Sequence, residues 1–320
     1  MDILLTSFLG VPFWFWLVFL GTVLGVVVFD LGYLHRRAET MSLKQSAAMT
    51  VFVATLALLF CGFVWHEMGI DNAQLFLTAW ILEQSLSIDN VFVIAVIFSY
   101  FAVPKQHQHR VLFWGILMAM VLRAVFIGAG TAIVTHFEWI MWAFAVFLIY
   151  SGYKMFMEAD TEPDIGNNSF VKFLAKHLNV TAEMQGEKFF LRKKDGFGKS
   201  VLYATPVFLA FMTINFADIV FAVDSVPAVL SLTQDPFIVY TSNIFAILGL
   251  RSLYFVINAL IAMFHYLEHA LSVLLVFIGG KIIWDHIFSP VSPGITLTIT
   301  VAILATAIVA SVVHKKEDVK

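Results

Sequence analysis

The sequence predicts an all-α, polytopic membrane protein of about nine transmembrane helices, and three observations carry that prediction. Hydrophobic residues fill 60% of the 320 positions and charged residues only 13%, with a mean hydropathy of +0.89, a balance foreign to soluble domains. A membrane span needs roughly 20 apolar residues, and nine runs qualify, some with polar interruptions: 11–34, 46–65, 74–101, 111–135, 138–157, 202–230, 238–264, 269–288 and 295–313. The third observation is an internal repeat. Glu83-x5-Asp89-Asn90 matches Asp218-x5-Asp224-Ser225, Leu122-Arg123 with Phe126 matches Leu250-Arg251 with Phe255, and Tyr150-Ser-Gly152-Tyr-Lys154 matches Phe277-Ile-Gly279-Gly-Lys281, all in the same order.

Taken in order, 1–320 reads as a single membrane domain. A first unit over 74–157 is followed by a connection over 158–200, a second unit over 202–288 and a last span over 295–313. The two units would run in opposite directions, the inverted-repeat plan of many secondary transporters, whose substrate sites lie near the midplane. No basic residue precedes Arg36 and no small-residue cleavage site is seen, so the first run reads as a retained span rather than a signal peptide. Lys and Arg gather in alternate connections: Arg36, Arg37 and Lys44; Lys105 and Arg110; Lys172 to Lys199; and Lys315, Lys316 and Lys320. By the positive-inside rule this places the N-terminus outside and the C-terminus in the cytoplasm. Within the long connection, Ser169 is expected to cap a short helix with Phe170, Phe173, Leu174 and His177 on one face. The stretch from Lys188 to Lys199 is expected to form a hairpin about Asp195-Gly196, the whole lying against anionic lipid.

Some functions are excluded early. Acids and bases nearly cancel, giving a formal charge of -3, so nothing suggests nucleic-acid binding, which would need a basic face. One cysteine, Cys61, allows neither an intrachain disulfide nor a thiolate metal cluster and reads as packing.

The chemistry lies with the acids inside the apolar runs. A charge near a bilayer centre costs on the order of 3 kcal/mol on insertion scales, so an acid kept there is a functional candidate. On a helix Glu83, Ser87 and Asn90 share a face while Asp89 points roughly 120° away. Asp218 and Ser225 share the corresponding face and Asp224 lies off it. Pro227 would free the Val223 carbonyl. Glu83, Asp89, Asp218 and Asp224, helped by Asn90, Ser225 or that carbonyl, would make an oxygen-rich site suited to Mn²⁺, Ca²⁺ or Mg²⁺. Carboxylates in a low dielectric raise one another's pKa, so protonation would release the ion and couple its movement to protons. The bland reading stays open beside this one: each acid is neutralised by Arg123, Arg251, Lys154 or Lys281 and merely locks helices. Asp30 is a fifth candidate ligand or an interfacial residue. His265 and His269 with Glu268, and His107 with His109, read as headgroup-zone and solvated residues before they read as ligands.

The stretches LEQSLSIDNVFV, FADIVFAVDSVPA and TSNIFAILGLRSLYF resemble the TerC family of membrane proteins, and the additional first span resembles its Alx-type bacterial members. The resemblance runs from about Gly21 to the last span. It implies a bacterial inner-membrane protein among the small cation and amino-acid exporters, linked with tellurium resistance and, for Alx-like members, with manganese efflux under alkaline conditions. The family's acidic motif falls on Glu83, Asp89, Asn90, Asp218, Asp224 and Ser225. Asn215 stands where a further acid is expected, three residues before Asp218. The expectation is therefore a Mn²⁺ exporter, not an enzyme and without a resident cofactor, whose partners are the cation and the bilayer. A non-transporting scaffold or tellurite-stress sensor is the rival. An intramembrane aspartyl protease ranks last, because neither Asp89 nor Asp224 has the Gly-x-Gly-Asp or Tyr-Asp setting of that chemistry.

Overall fold

A computed structural model describes residues 6–29, 43–137, 139–158, 165, 168–181, 183, 186, 188–194, 200–260 and 266–313. Among them the chain is helical apart from two short hairpins. Ser7–Phe8 (β1) pairs with Val11–Pro12 (β2), turning at Gly10 with φ of 87°. Helices α1 (Phe13–Phe29), α2 (Leu43–Met68), α3 (Ile70–Tyr100), α4 (Lys105–His136) and α5 (Ile140–Glu158) follow. A single residue, Gly69, joins α2 to α3; its φ of 90° is the left-handed conformation that a side chain disfavours, and it folds the two helices against each other.

The connection after α5 departs from the expectation at two points. Helix α6 (Ser169–His177) is capped by Asn168, whose side chain accepts from Phe170 N at 2.9 Å, so Ser169 is its first residue rather than its cap. Val171 and Leu174 are its buried residues, whereas Phe173 is exposed. The hairpin forms from Phe190–Lys194 (β3) and Ser200–Ala204 (β4). The run expected to enter the membrane at 202 thus begins as a strand, because Val-Leu-Tyr-Ala suits a strand as well as a span. Thr205 then caps α7 (Pro206–Leu230), accepting from Phe208 N at 3.3 Å, with Pro206 in the first turn. Pro227 sits within α7, which continues to Leu230. Helices α8 (Pro236–Leu260), α9 (Leu267–Ile287) and α10 (Pro293–Val313) complete the described chain.

Among the described residues seven helices are long and apolar enough to cross a membrane: α2, α4, α5, α7, α8, α9 and α10. Helix α1 is apolar but has 17 residues, and α3, 31 residues long, carries the acids. Helix α8 is the central post. Its apolar stretch is 94% buried against 22–50% for the other six, yet its mean hydropathy of 1.3 is among the lowest. Surrounded by protein, it needs no lipid-facing surface, and it places Thr241, Ser242 and Asn243 in the interior. Thr241 and Ser242 satisfy themselves by donating to carbonyls four residues back at 2.7 Å. Around this post α3 packs on α8, α4 on α7, α5 on α9, α2 on α8 and on α3, and α10 on α3 and α9. Phe19, Phe60, Phe76 and Phe245 fill the space between α1, α2, α3 and α8, with Phe60 and Phe245 at 4.9 Å.

The tightest crossing joins α5 and α9. A Cβ on Gly152 would lie 2.7 Å from the Ser272 carbonyl oxygen, and one on Gly279 would lie 2.8 Å from that of Ala145. Only glycine permits this approach, and the two glycines are repeat-related in the sequence.

Candidate functional site

Arg123 of α4 is the hub of the buried polar residues. Its guanidinium is almost wholly enclosed. Nη1 donates to both oxygens of Glu83 on α3, at 3.1 and 3.3 Å, and to Ser225 Oγ on α7 at 2.6 Å. Nη2 donates to Asp218 Oδ1 on α7 at 3.3 Å. Asn243 of α8 donates through Nδ2 to Glu83 Oε1 at 2.7 Å. One arginine thus ties α3 and α7 to α4, while Asn243 ties α3 to α8. Glu83 meets Arg123 because it faces inward from α3; Asp218 and Ser225, seven residues apart on α7, present one face to the same guanidinium. With both carboxylates ionised, this cluster carries two negative charges against one positive.

Asp218 has a second side. With Asn90, Gly115 and Asn215 it lines a cavity of about 20 Å³ whose apolar wall includes Ile94 and Leu112, room for about one water-sized occupant. Among the described residues three buried oxygens there have no partner: Asn90 Oδ1, Asn215 Oδ1 and Asp218 Oδ2. The Asn215 amide is oriented by its own helix, since Nδ2 donates to Phe211 O at 2.7 Å, which leaves Oδ1 as the unpaired atom. Gly115 keeps the space open; a Cβ there would find only Ile214 Cγ2, at 3.9 Å. On the other side of the arginine, Arg123 Nε and Asn243 Oδ1 also lack partners. Those two are a donor and an acceptor. Three unpartnered acceptors around one cavity form a different set, more than one water can serve.

The remaining sequence candidates are distributed as follows. Asp224 lies on another side of α7, accepting from Ser151 Oγ of α5 at 2.9 Å. Asp89 belongs to α3, but its side chain lies outside the described residues, as does Asp30 altogether. Ser87 is buried on α3. Arg251, buried on α8, lines a separate cavity of about 20 Å³ with Met49, Phe113 and Leu248. Lys281 donates to Asp285 at 2.6 Å on its own helix. His269 packs against Phe156 and Tyr266; His265 and the side chain of Glu268 lie outside the described residues. Among the described residues no three of His, Cys, Asp and Glu stand close enough together to hold a metal ion. The oxygen set at the cavity is one carboxylate and two amides.

Sequence reasoning missed Asn243, Gly115 and Ser151. A signal existed for the first two: each stands eight residues before a repeat-related arginine, Gly115 before Arg123 and Asn243 before Arg251.

Comparison with known proteins accords with this architecture. The chain is 40% identical over 300 residues to an uncharacterized membrane protein of Rickettsia bellii, covering 94% of this chain and 97% of the relative. It is 43% identical over 283 residues to a Salmonella typhi protein named as a candidate membrane-bound redox modulator, Alx, covering 84% and 86%. A Photorhabdus laumondii protein with the same name is 41% identical over 297 residues, covering 90% and 91%. No solved structure matches. Residues 68–319, from the start of the acid-bearing helix onward, match the TerC description, and the chain, a multi-pass membrane protein, belongs to the integral membrane protein TerC family.

Proposed function

We propose that the protein exports a divalent cation, Mn²⁺ first among candidates, through a site formed by Asn90, Asn215 and Asp218 beside the Arg123 cluster. The observation that carries this reading is the trio of unpartnered buried oxygens around one small cavity. A buried acceptor left unsatisfied costs about 1–3 kcal/mol, and more when charged. A water donates two hydrogens, so a single water serves at most two of the three. A cation meets all three at once and balances the excess negative charge of Glu83 and Asp218 over Arg123. The ligands are all oxygen, the preference of hard cations, whereas zinc or copper favours His and Cys. A proton on either carboxylate would offset the same charge, so proton and cation compete, and cation release coupled to proton entry follows.

The nine-span inverted repeat belongs to the same reading. Exchanging α3 with α7, α4 with α8 and α5 with α9 turns the α3–α8 contact into α7–α4, and both are extensive. It turns the contact of Gly152 with Ser272 into that of Gly279 with Ala145. The orientation, N-terminus outside and the β3–β4 hairpin in the cytoplasm of a bacterial inner membrane, rests on the distribution of Lys and Arg.

The name borne by the Salmonella relative offers a redox reading. The residue this chain brings to it is Cys61, half-buried, with its thiol donating to Ala73 O at 3.4 Å. Purified protein reconstituted in vesicles tests the export reading: Mn²⁺ accumulates on the side away from the hairpin with the wild-type chain and not with Asp218→Asn. Equal flux in protein-free vesicles would leave the scaffold reading standing instead.

A further inference from the structure

The cavity and the Arg123 cluster lie in series along the helices. Arg110, near the start of α4, stands over the Phe189 ring at 5.8 Å, which places that end of α4 beside the hairpin. Asn90 is seven residues closer than Glu83 to that end of α3, roughly 10 Å at 1.5 Å per residue, and Asn215 is ten residues closer than Ser225 on α7, roughly 15 Å. The cavity is therefore on the hairpin side of the guanidinium, and Glu83, Ser225 and Asn243 are beyond it. Asp218 belongs to both, with Oδ1 on Arg123 and Oδ2 unpartnered.

Matching the two repeat units sharpens the asymmetry. In the register that pairs Arg123 with Arg251, Gly115 corresponds to Asn243. In the register that pairs Glu83 with Asp218, Asn90 corresponds to Ser225. On the hairpin side, Gly115 leaves a hole and Asn90 keeps an unpaired oxygen. On the far side, Asn243 donates to Glu83 and Ser225 accepts from Arg123. One half of a pseudo-symmetric site is open and the other is filled by the protein's own side chains.

We infer that Arg123 is a tethered counter-cation that shuts the far side of the site, and that a divalent cation arriving at Asp218 from the hairpin side releases it. This rests on the export reading above. The bond to be broken is the 3.3 Å contact with Asp218, the contact that Nη2 makes to a carboxylate, longer than the 2.6 Å contact with Ser225 and the 2.7 Å one between Asn243 and Glu83. A dication at Asp218 Oδ2 competes for the same carboxylate and repels the guanidinium beside it. Losing that bond leaves Ser225 as the guanidinium's last hold on α7; once the repelled group leaves Ser225 too, α4 is untied from α7 while the Asn243 tie between α3 and α8 stays in place. The seam that opens is the one where Gly130 of α4 packs against Val226 and Leu230 of α7, with a Cβ on Gly130 only 2.8 Å from Leu230 Cδ1. Arg123 would thus couple occupancy on one side to opening on the other, so that the path is not open at both ends at once.

The test uses the full-length protein in oriented vesicles, with Cys61→Ser and a reporter Val226→Cys, which is buried. An impermeant thiol reagent is applied from the side away from the hairpin, and Mn²⁺ binding is titrated on the same preparation. Slow labelling without metal, accelerated at least five-fold by Mn²⁺, is expected. Arg123→Gln should label quickly without metal and Arg123→Lys slowly. Should Arg123→Gln fail to fold, the Mn²⁺ response of the arginine-containing reporter decides the matter alone. Mn²⁺ bound with no change in labelling overturns the gate and leaves the export site standing; no binding of Mn²⁺, Ca²⁺ or Mg²⁺ overturns both.

Discussion

On one side of Asp218 both carboxylate oxygens of Glu83 are tied up, although Arg123 Nε and Asn243 Oδ1 stay unpaired; on the other side three acceptors are left over around a cavity. Both oxygens of Glu83 are engaged, by Arg123 and Asn243, and Ser225 closes on the same guanidinium. Seven residues along α3, Asn90 presents an oxygen to a cavity and finds nothing, as do Asn215 and the outer oxygen of Asp218. Both regions draw on the same helices at similar burial. What differs is one residue on the facing helix: Asn243 on the closed side, Gly115 on the open side. The closed side locks the bundle, and the open side leaves acceptors that the fold itself does not use.

The largest effect should come from breaking the closed side at its hub. Arg123→Gln leaves Glu83 and Asp218 facing each other without a countercharge, and removing one partner of a buried ion pair costs about 3–5 kcal/mol. Thermal unfolding in detergent should show this loss, with part of it restored when Glu83→Gln is added. The open side should respond in binding instead. Asp218→Asn removes the only carboxylate among its described residues and should weaken Mn²⁺ binding about 100-fold, equivalent to about 2.8 kcal/mol, as read by titration. Asn243→Ala breaks a bond to a charged acceptor and should cost about 1.5–3 kcal/mol of stability, with Mn²⁺ affinity changing less than three-fold. The smallest stability effect belongs to Gly115→Ala. Its new methyl meets a neighbour only at 3.9 Å, so unfolding should shift by less than about 0.5 kcal/mol, while Mn²⁺ binding falls several-fold as the cavity shrinks. Were Gly115→Ala to destabilise the fold and spare binding, the contrast between the two sides would be wrong.

Much of this was legible in the sequence because it rests on helical spacing. The i, i+7 relations put Glu83 with Asn90 and Asp218 with Ser225, and set Asp224 on another face, where the structure places it against Ser151. The repeated arginine marked Arg123. Which charge each acid meets was not legible, since that depends on how α4 and α8 are rotated between α3 and α7. Sequence reasoning left both fates of the acids open. The structure gives Glu83 and part of Asp218 to the arginine and leaves the unpaired oxygens mainly to amides. Uncharged residues stand out less in an apolar run than acids do, so Asn243 and Gly115 were marked only by their shared place eight residues before an arginine. The start of α7 was misplaced for another reason: Ser200–Ala204 is apolar enough to continue a span, and only pairing with Phe190–Lys194 makes it a strand.

The most direct measurement is anomalous diffraction from crystals soaked in Mn²⁺. The account predicts one peak in the cavity, within coordination distance of the Asn90, Asn215 and Asp218 side-chain oxygens and absent from Asp218→Asn crystals. A peak at Asp224 and Ser151 instead, or an empty cavity at Mn²⁺ concentrations that saturate binding in solution, would contradict it.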